Sequence, residues 1–308
     1  MKILVMGSGA VGGYYGAVLS KSGHEVTFVA RGEHLAAIRE HGLRVESVAS
    51  GDFTIRPPVT ERPVGSWGAE LVLFCVKGYD NAEAIATLRP AVGENTSILT
   101  LQNGIGSGDQ LGAAFGPERV LLGVTYIDAV RREPGVVADV GERCNIIFGE
   151  QDGRQTPRAQ AIRDVMRGAG IDAALSSNVT RDLWEKLVHI CALSGMICMT
   201  RSLMAEIVAT PEARRLTCRV MREAEAVARA RGVELGQNYV ESMMAYFEQT
   251  REGTVSSMFT DLERGNRLEV GVLNGAVVRL GRELGIATPA NEFITACLLV
   301  SHNRALSR

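Results

Sequence analysis

ILVMGSGAVG, residues 3–12, sets the reading of the whole chain. Ile3–Met6 is a short apolar run with strand character. Glycines end it, and Val11–Ser20 then has the pattern of a helix. Gly7-Ser8-Gly9-Ala10-Val11-Gly12 is therefore a GxGxxG between a strand and a helix, the context that a dinucleotide-binding turn requires. Gly7 allows the tight turn, Gly9 lets the backbone approach a pyrophosphate, and Gly12 permits close helix–strand packing. Ser8, Ala10 and Val11 complete the loop. The helix N-terminus directs free N–H groups and a positive dipole end toward the phosphates. These six residues are the candidate cofactor loop.

Outward from the loop, strand and helix signals alternate. His24–Val29 reads as a strand, Glu33–Glu40 as a short helix closed by Gly42, and Leu43–Val48 and Phe53–Val59 as strands. Leu71–Val76 is a continuous apolar run, as expected of a strand buried on both faces. Ala82–Leu88 and Gly106–Phe115 are helical, with the strand Ser97–Leu101 between them. Val120–Tyr126, Gly135–Val140 and Cys144–Phe148 are expected as antiparallel strands turning at Glu133-Pro134 and at Gly141. Alternation of this kind specifies an α/β domain with a mainly parallel sheet. From Val179 onward the periodicity is helical, over 179–199, 203–208, 212–231, 238–251, 257–264, 268–284 and 290–305. Gly232, Gly253, Gly265 and Gly285 mark stops, and Pro211 and Pro289 mark starts. The fold class is thus α/β, with an N-terminal Rossmann-like dinucleotide-binding domain over 1–176 and a C-terminal all-helical domain over 177–308.

Composition narrows the function. The 308 residues are 46% hydrophobic and 22% charged, which excludes wholesale disorder. Lys+Arg 33 against Asp+Glu 35 leaves a net charge of -2, without the basic excess of a nucleic-acid binder. Cys75, Cys144, Cys191, Cys198, Cys218 and Cys297 form no CxxC pair and show no metal-ligand spacing with histidine, so a reducing, cytoplasmic setting and no metal are expected. Residues 3–20 carry no charge and are flanked by Lys2 and Lys21, yet five glycines make the run only moderately apolar. Neither export nor membrane insertion is expected of it.

The dinucleotide fingerprint ordinarily places Asp or Glu about 20 residues beyond the loop, to receive the ribose hydroxyls. Here the second strand ends Val29-Ala30-Arg31-Gly32. A guanidinium suits a 2′-phosphate better than a plain ribose, so the expected cofactor is NADPH. Lys77 ends the buried run Leu71–Val76, and Asn103 follows the Leu99–Gln102 strand. Ligands bind beyond the carboxyl ends of strands in such sheets.

Five stretches resemble the ketopantoate reductase (2-dehydropantoate 2-reductase) family, in order and over nearly the whole chain. They are GSGAVGGYYGAVLSKSGHEVTFVAR from residue 7, FCVKGYDNAEA from 74, LTLQNGIG from 99, LWEKLV from 183, and SSMFTDLERGNRLEVGVLNGAVVRLGRELGIATPAN from 256. The resemblance implies Lys186 as the catalytic lysine, Glu269 as a second catalytic group beside the substrate, and Ser257 as a substrate contact. It implies Lys77 and Asn103 beside the nicotinamide and the substrate, and Arg31 on the 2′-phosphate. The expected reaction is NADPH-dependent reduction of a 2-oxo acid, ketopantoate to pantoate, with Lys186 donating the proton. The family pattern has asparagines four and eight residues after its lysine, where this chain has Ile190 and Ser194. A more apolar 2-oxo acid is therefore an alternative substrate, and an NADPH-binding regulator without turnover an alternative role. Either Ser256 or Ser257 has the right place to cap the following helix, and His189 lies one turn beyond Lys186. A homodimer is the default expectation, since two-fold dimers are the commonest assemblies.

Overall fold

The computed structural model describes residues 1–64, 68–249 and 256–307. The helix stop expected at Gly253, and the end of the helix expected over 238–251, lie outside them. The chain forms two compact units. One is Met1–Gln102 with Gly106–Val179, and the other is Asn103–Ile105 with the chain from Thr180 onward.

The first unit runs β1 (Lys2–Met6), α1 (Ala10–Lys21), β2 (Glu25–Val29), α2 (Gly32–His41), β3 (Leu43–Ser47), β4 (Phe53–Ile55), β5 (Val59–Thr60), β6 (Leu71–Phe74), α3 (Asn81–Leu88), β7 (Ser97–Thr100), α4 (Ser107–Phe115), β8 (Val120–Glu133), β9 (Val136–Gly149), α5 (Pro157–Gly168) and β10 (Asp172–Leu175). One sheet has the order β4-β3-β9-β8-β7-β6-β1-β2-β5, with β10 also paired to β9. β1 lies parallel to both β2 and β6, so the strand order reverses direction at β1, a topological switch point. The apolar runs follow from burial on two faces. Ile3 and Val5, with Leu71 and Leu73, pack into the core on one face. Leu4 and Met6, with Val72 and Phe74, pack into the core on the other. The period of two along each strand divides the same run between the two layers.

Two expectations for this unit change. Phe53–Val59 is not one strand: β4 ends at Ile55 and β5 begins at Val59. Pro57 and Pro58 lack the N–H that a continuous ladder needs. The chain also does not turn at Gly141. β9 continues through it, and the β8–β9 pairing jumps from Ile127↔Cys144 to Ala129↔Asp139. Gly141 lies in that bulge, its N–H donating to Asp139 Oδ1 at 3.4 Å.

The helical unit comprises α6 (Val179–Thr200), α7 (Met204–Ala209), α8 (Pro211–Ala230), α9 (Tyr239–Gln249), α10 (Ser257–Glu263), α11 (Asn274–Leu284) and α12 (Pro289–Leu306). α6 is long and apolar enough to cross a membrane by composition alone. In the structure its Leu187, Val188, Cys191, Ala192 and Met196 are buried in the core of this unit. A polar chain ties the helices together. Asn274 Nδ2 donates to Cys191 O at 3.1 Å and to Asn291 Oδ1 at 3.0 Å. Asn291 Nδ2 donates to Glu223 Oε2 at 2.9 Å, and Glu223 also accepts from the N–H groups of Ala290 and Asn291. A carboxylate on these first-turn donors complements the α12 dipole.

The helix expected over 268–284 is broken. Glu269–Gly271 forms a separate 3-10 turn, and α11 begins only at Asn274. Leu273, with φ −103° and ψ −110°, is outside the helical region and separates the two pieces. Asn103–Ile105 belongs to this unit because Gly104 fits against Val272, just past that turn. Gly104 has φ +83°, and a Cβ there would lie 2.2 Å from Val272 O. Gly23, at φ +93°, faces open space. In urea unfolding, Gly23→Ala is expected to cost about 1 kcal/mol for its backbone alone, and Gly104→Ala about 1–3 kcal/mol more for the clash with the Val272 carbonyl.

Candidate active site

The cofactor loop begins where β1 ends. Gly7 takes φ +96°, and a Cβ on Gly12 would lie 2.2 Å from Gly7 O, so the loop is folded tightly on itself. A Cβ on Gly9 would meet nothing within 4 Å. The backbone is therefore open at the position where a pyrophosphate must approach. Gly9 caps α1 without any side chain, which leaves the helix N-terminus for a ligand. The loop suits a dinucleotide.

Ser8 is buried, and its Oγ donates to Val29 O at 3.3 Å. His34 holds the loop from beneath. Its Nε2 donates to Ser8 O at 2.7 Å, and its Nδ1 accepts from Gly135 N at 2.9 Å. These partners fix one neutral tautomer, and burial holds the imidazole pKa below its usual value.

Arg31 stands between β2 and α2 as expected, but it already has partners. Its Nη1 donates to Glu83 Oε2 at 2.7 Å and its Nη2 to Asp80 Oδ2 at 3.3 Å. Both acids come from the start of α3. Lys77 follows β6 in extended backbone, and its carbonyl accepts from Asp80 N at 2.8 Å. The strand end beneath it is fixed by amides. Gln102 Nε2 donates to Val76 O and to Asn81 Oδ1, both at 2.7 Å. Asn81 Nδ2 in turn donates to Ser107 Oγ at 3.0 Å and Gln110 Oε1 at 2.9 Å. Asn81 and Gln102 are buried, so this network sets the ends of β6 and β7 firmly.

In the helical unit, Lys186 lies near the N-terminal end of α6. Burial pushes its pKa down to about 8, and the Glu269 carboxylate opposes that shift. Glu269 itself is 4% exposed. An ammonium held this close to neutrality is a capable proton donor. His189 is different: burial and the Lys186 charge push it down to about 4, so it is neutral at pH 7. Its ring lies 5.0 Å from that of Phe247 and 5.7 Å from that of Tyr246, centroid to centroid.

The serines divide their tasks. Ser256 is the cap of α10, accepting from Phe259 N at 3.4 Å, and its Oγ donates to Ser194 Oγ at 2.8 Å. Ser257 is the first residue of that helix and is exposed. Lys186, Glu269, Ser257 and Asn103 thus share the helical unit, while Gly7–Gly12, Arg31 and Lys77 share the sheet unit.

Sequence reasoning passed over His34, Gln102 and the Ser194–Ser256 pair. Gln102 carried one available signal, an amide immediately before Asn103 at a strand end. Nothing in the sequence joins His34 to Ser8. Among the described residues, no cluster of three or more His, Cys, Asp or Glu is placed to hold a metal ion.

Residues 3–153 match the family described as ketopantoate reductase PanE/ApbA, and residues 178–301 match its C-terminal part. The 2-dehydropantoate 2-reductase of Halobacterium salinarum is 32% identical over 290 residues, covering 94% of this chain and 95% of that protein. The crystal structure of a PanE/ApbA family ketopantoate reductase from Ralstonia eutropha is 34% identical, with a TM-score of 0.91 over 99% of this chain and 100% of the other. The structure of a D-mandelate dehydrogenase with NADH is 25% identical, with a TM-score of 0.88 over 98% and 99%.

The Lys186–Glu269 coupling is open to direct titration. Amine-labelling of Lys186, which needs the neutral amine, is expected to rise through a midpoint near pH 8. In Glu269→Gln the opposing charge is gone, and the midpoint is expected to move lower. An unchanged midpoint would show that the carboxylate does not act on the lysine.

Proposed function

The chain belongs to the ketopantoate reductase family and is an oxidoreductase of the 2-dehydropantoate 2-reductase type, and we propose that it reduces 2-dehydropantoate to pantoate, in pantothenate biosynthesis, with NADPH. One observation carries this reading: Lys186 and Glu269 are coupled on α6 and the 3-10 turn, with the lysine pKa held at about 8. Bound at the Gly7–Gly12 loop, NADPH would supply a hydride to the 2-oxo carbon. The remaining work falls to the chain. Lys186 Nζ donates a proton to the 2-oxo oxygen as the C–O bond becomes a hydroxyl, and its positive charge stabilises the developing alkoxide. Glu269 favours the charged lysine before transfer and accepts a hydrogen bond from the product hydroxyl. Asn103 and Ser257 orient the substrate, and Lys77 and Asn103 serve the nicotinamide side. Arg31 is assigned to the 2′-phosphate. A cytoplasmic enzyme, assembled as a homodimer, belongs to the same proposal; its cysteines are all free thiols.

A second reading has its own observation. Ile190 has no polar side chain to offer a substrate hydroxyl, and the Ser194 hydroxyl already accepts from Ser256. These two positions suit a 2-oxo acid with a bulkier, more apolar side chain. A site that hydrogen-bonds one substrate rejects analogues strongly, so a substrate panel separates the two readings.

NADPH oxidation with ketopantoate is expected, with kcat/KM falling as pH rises through about 8, because the acid is the protonated lysine. Lys186→Ala is expected to lower kcat by about 10²- to 10⁴-fold while the protein stays folded. If a bulkier 2-oxo acid has the higher kcat/KM, the second reading replaces the first. If Lys186→Ala keeps the wild-type rate, the mechanism is wrong.

A further inference from the structure

β2 ends in Arg31 where a dinucleotide fingerprint usually has an acid, yet the structure brings acids to that place from another element. Glu83 Oε2 lies 2.7 Å from Arg31 Nη1, and Asp80 Oδ2 lies 3.3 Å from Nη2. Asp80 immediately precedes α3 and Glu83 lies in its first turn, where the helix dipole favours both carboxylates. The formal charge of the three side chains is −1. A dianionic 2′-phosphate must share Arg31 with two carboxylates and is repelled by each. A ribose 2′-hydroxyl meets no such penalty, and as a donor it can bond to a carboxylate oxygen. All three side chains are accessible: Arg31 is 55%, Glu83 64% and Asp80 21% exposed.

We propose that Asp80 and Glu83 are cofactor-specificity residues: by holding Arg31 between them, they narrow the preference for the 2′-phosphorylated dinucleotide and allow the site to accept NADH as well as NADPH. This rests on the reading that the Gly7–Gly12 loop holds a dinucleotide. Asp80 and Glu83 act through Arg31 on the phosphorylated cofactor and directly on the ribose of the other. Like charges a few ångströms apart near a solvated surface alter affinity by about three- to tenfold for each carboxylate.

The test is calorimetric binding of two fragments, adenosine 2′,5′-bisphosphate and adenosine 5′-monophosphate, to the full chain. The ratio of their affinities isolates the 2′-phosphate and requires no turnover. Glu83→Gln and Asp80→Asn are each expected to raise the ratio in favour of the bisphosphate by about three- to tenfold, the gain shrinking at high salt. Arg31→Ala is expected to remove the preference. A ratio that stays level or falls in both acid variants overturns the inference, because the acids would then be neutral bystanders or would orient Arg31 for the phosphate. If neither fragment nor NADPH binds the unaltered chain, the dinucleotide reading falls and takes this inference with it.

Discussion

Lys186 keeps its ammonium in surroundings that penalise charge, and the Glu269 carboxylate opposes that penalty. Removing an ion from water costs several kcal/mol even after relaxation, so such a lysine stays charged near neutrality only with a counter-charge held in place. Much of the helical unit serves that requirement. α6 must be apolar enough to form the core yet hold Lys186 in its first half, where burial penalises the charge. Glu269 must leave the helical path, which the turn Glu269–Gly271 accomplishes before α11 begins. The amide chain from Cys191 through Asn274 and Asn291 to Glu223 then fixes α6, α8, α11 and α12 to one another.

The sheet unit meets a different requirement, backbone precision without side chains. A phosphate loop made of glycines has little of its own to hold it in shape. His34 supplies an anchor under Ser8, and Gln102 and Asn81 lock the neighbouring strand ends. Each of these buried polar groups has its hydrogen-bond partners, the condition under which buried polar side chains rigidify a structure rather than weaken it. The candidate ligand positions are thus braced by neighbouring side chains.

The parts of the fold that were legible in the sequence are those governed by local rules. Leu71–Phe74 announces a doubly covered strand because the pattern of one strand is set by its own two faces. The glycine loop is legible because its spacing is a geometric demand. The boundary at Leu273 was not legible, since Leu268–Leu284 keeps its apolar rhythm across a turn whose cause is tertiary. The bulge around Gly141 was hidden for the same reason: only the partner strand decides whether a glycine turns the chain or lets it pass. At the candidate site, Arg31 stood out by type and place, whereas Lys186 was marked only by the family resemblance, since a lone lysine on a helix ordinarily faces solvent. The carboxylates around Arg31 did not stand out, because their closeness depends on β6 and β2 lying on either side of β1 in the sheet and on where α3 starts after β6.

The three residues Asn103–Ile105 also bear on inheritance. A helical half that borrows a tripeptide from the middle of the sheet half is not a cassette. A crossover joining a foreign sheet half to this chain at 179/180 would carry Lys186 and Glu269 across and leave Asn103 behind. It would also separate Gly104 from the Val272 carbonyl against which it fits so closely. Lineages that shuffle the two halves freely would be selected against, and the short loop after β7 and the turn before α11 would descend as one linked trait despite the long stretch of gene between them.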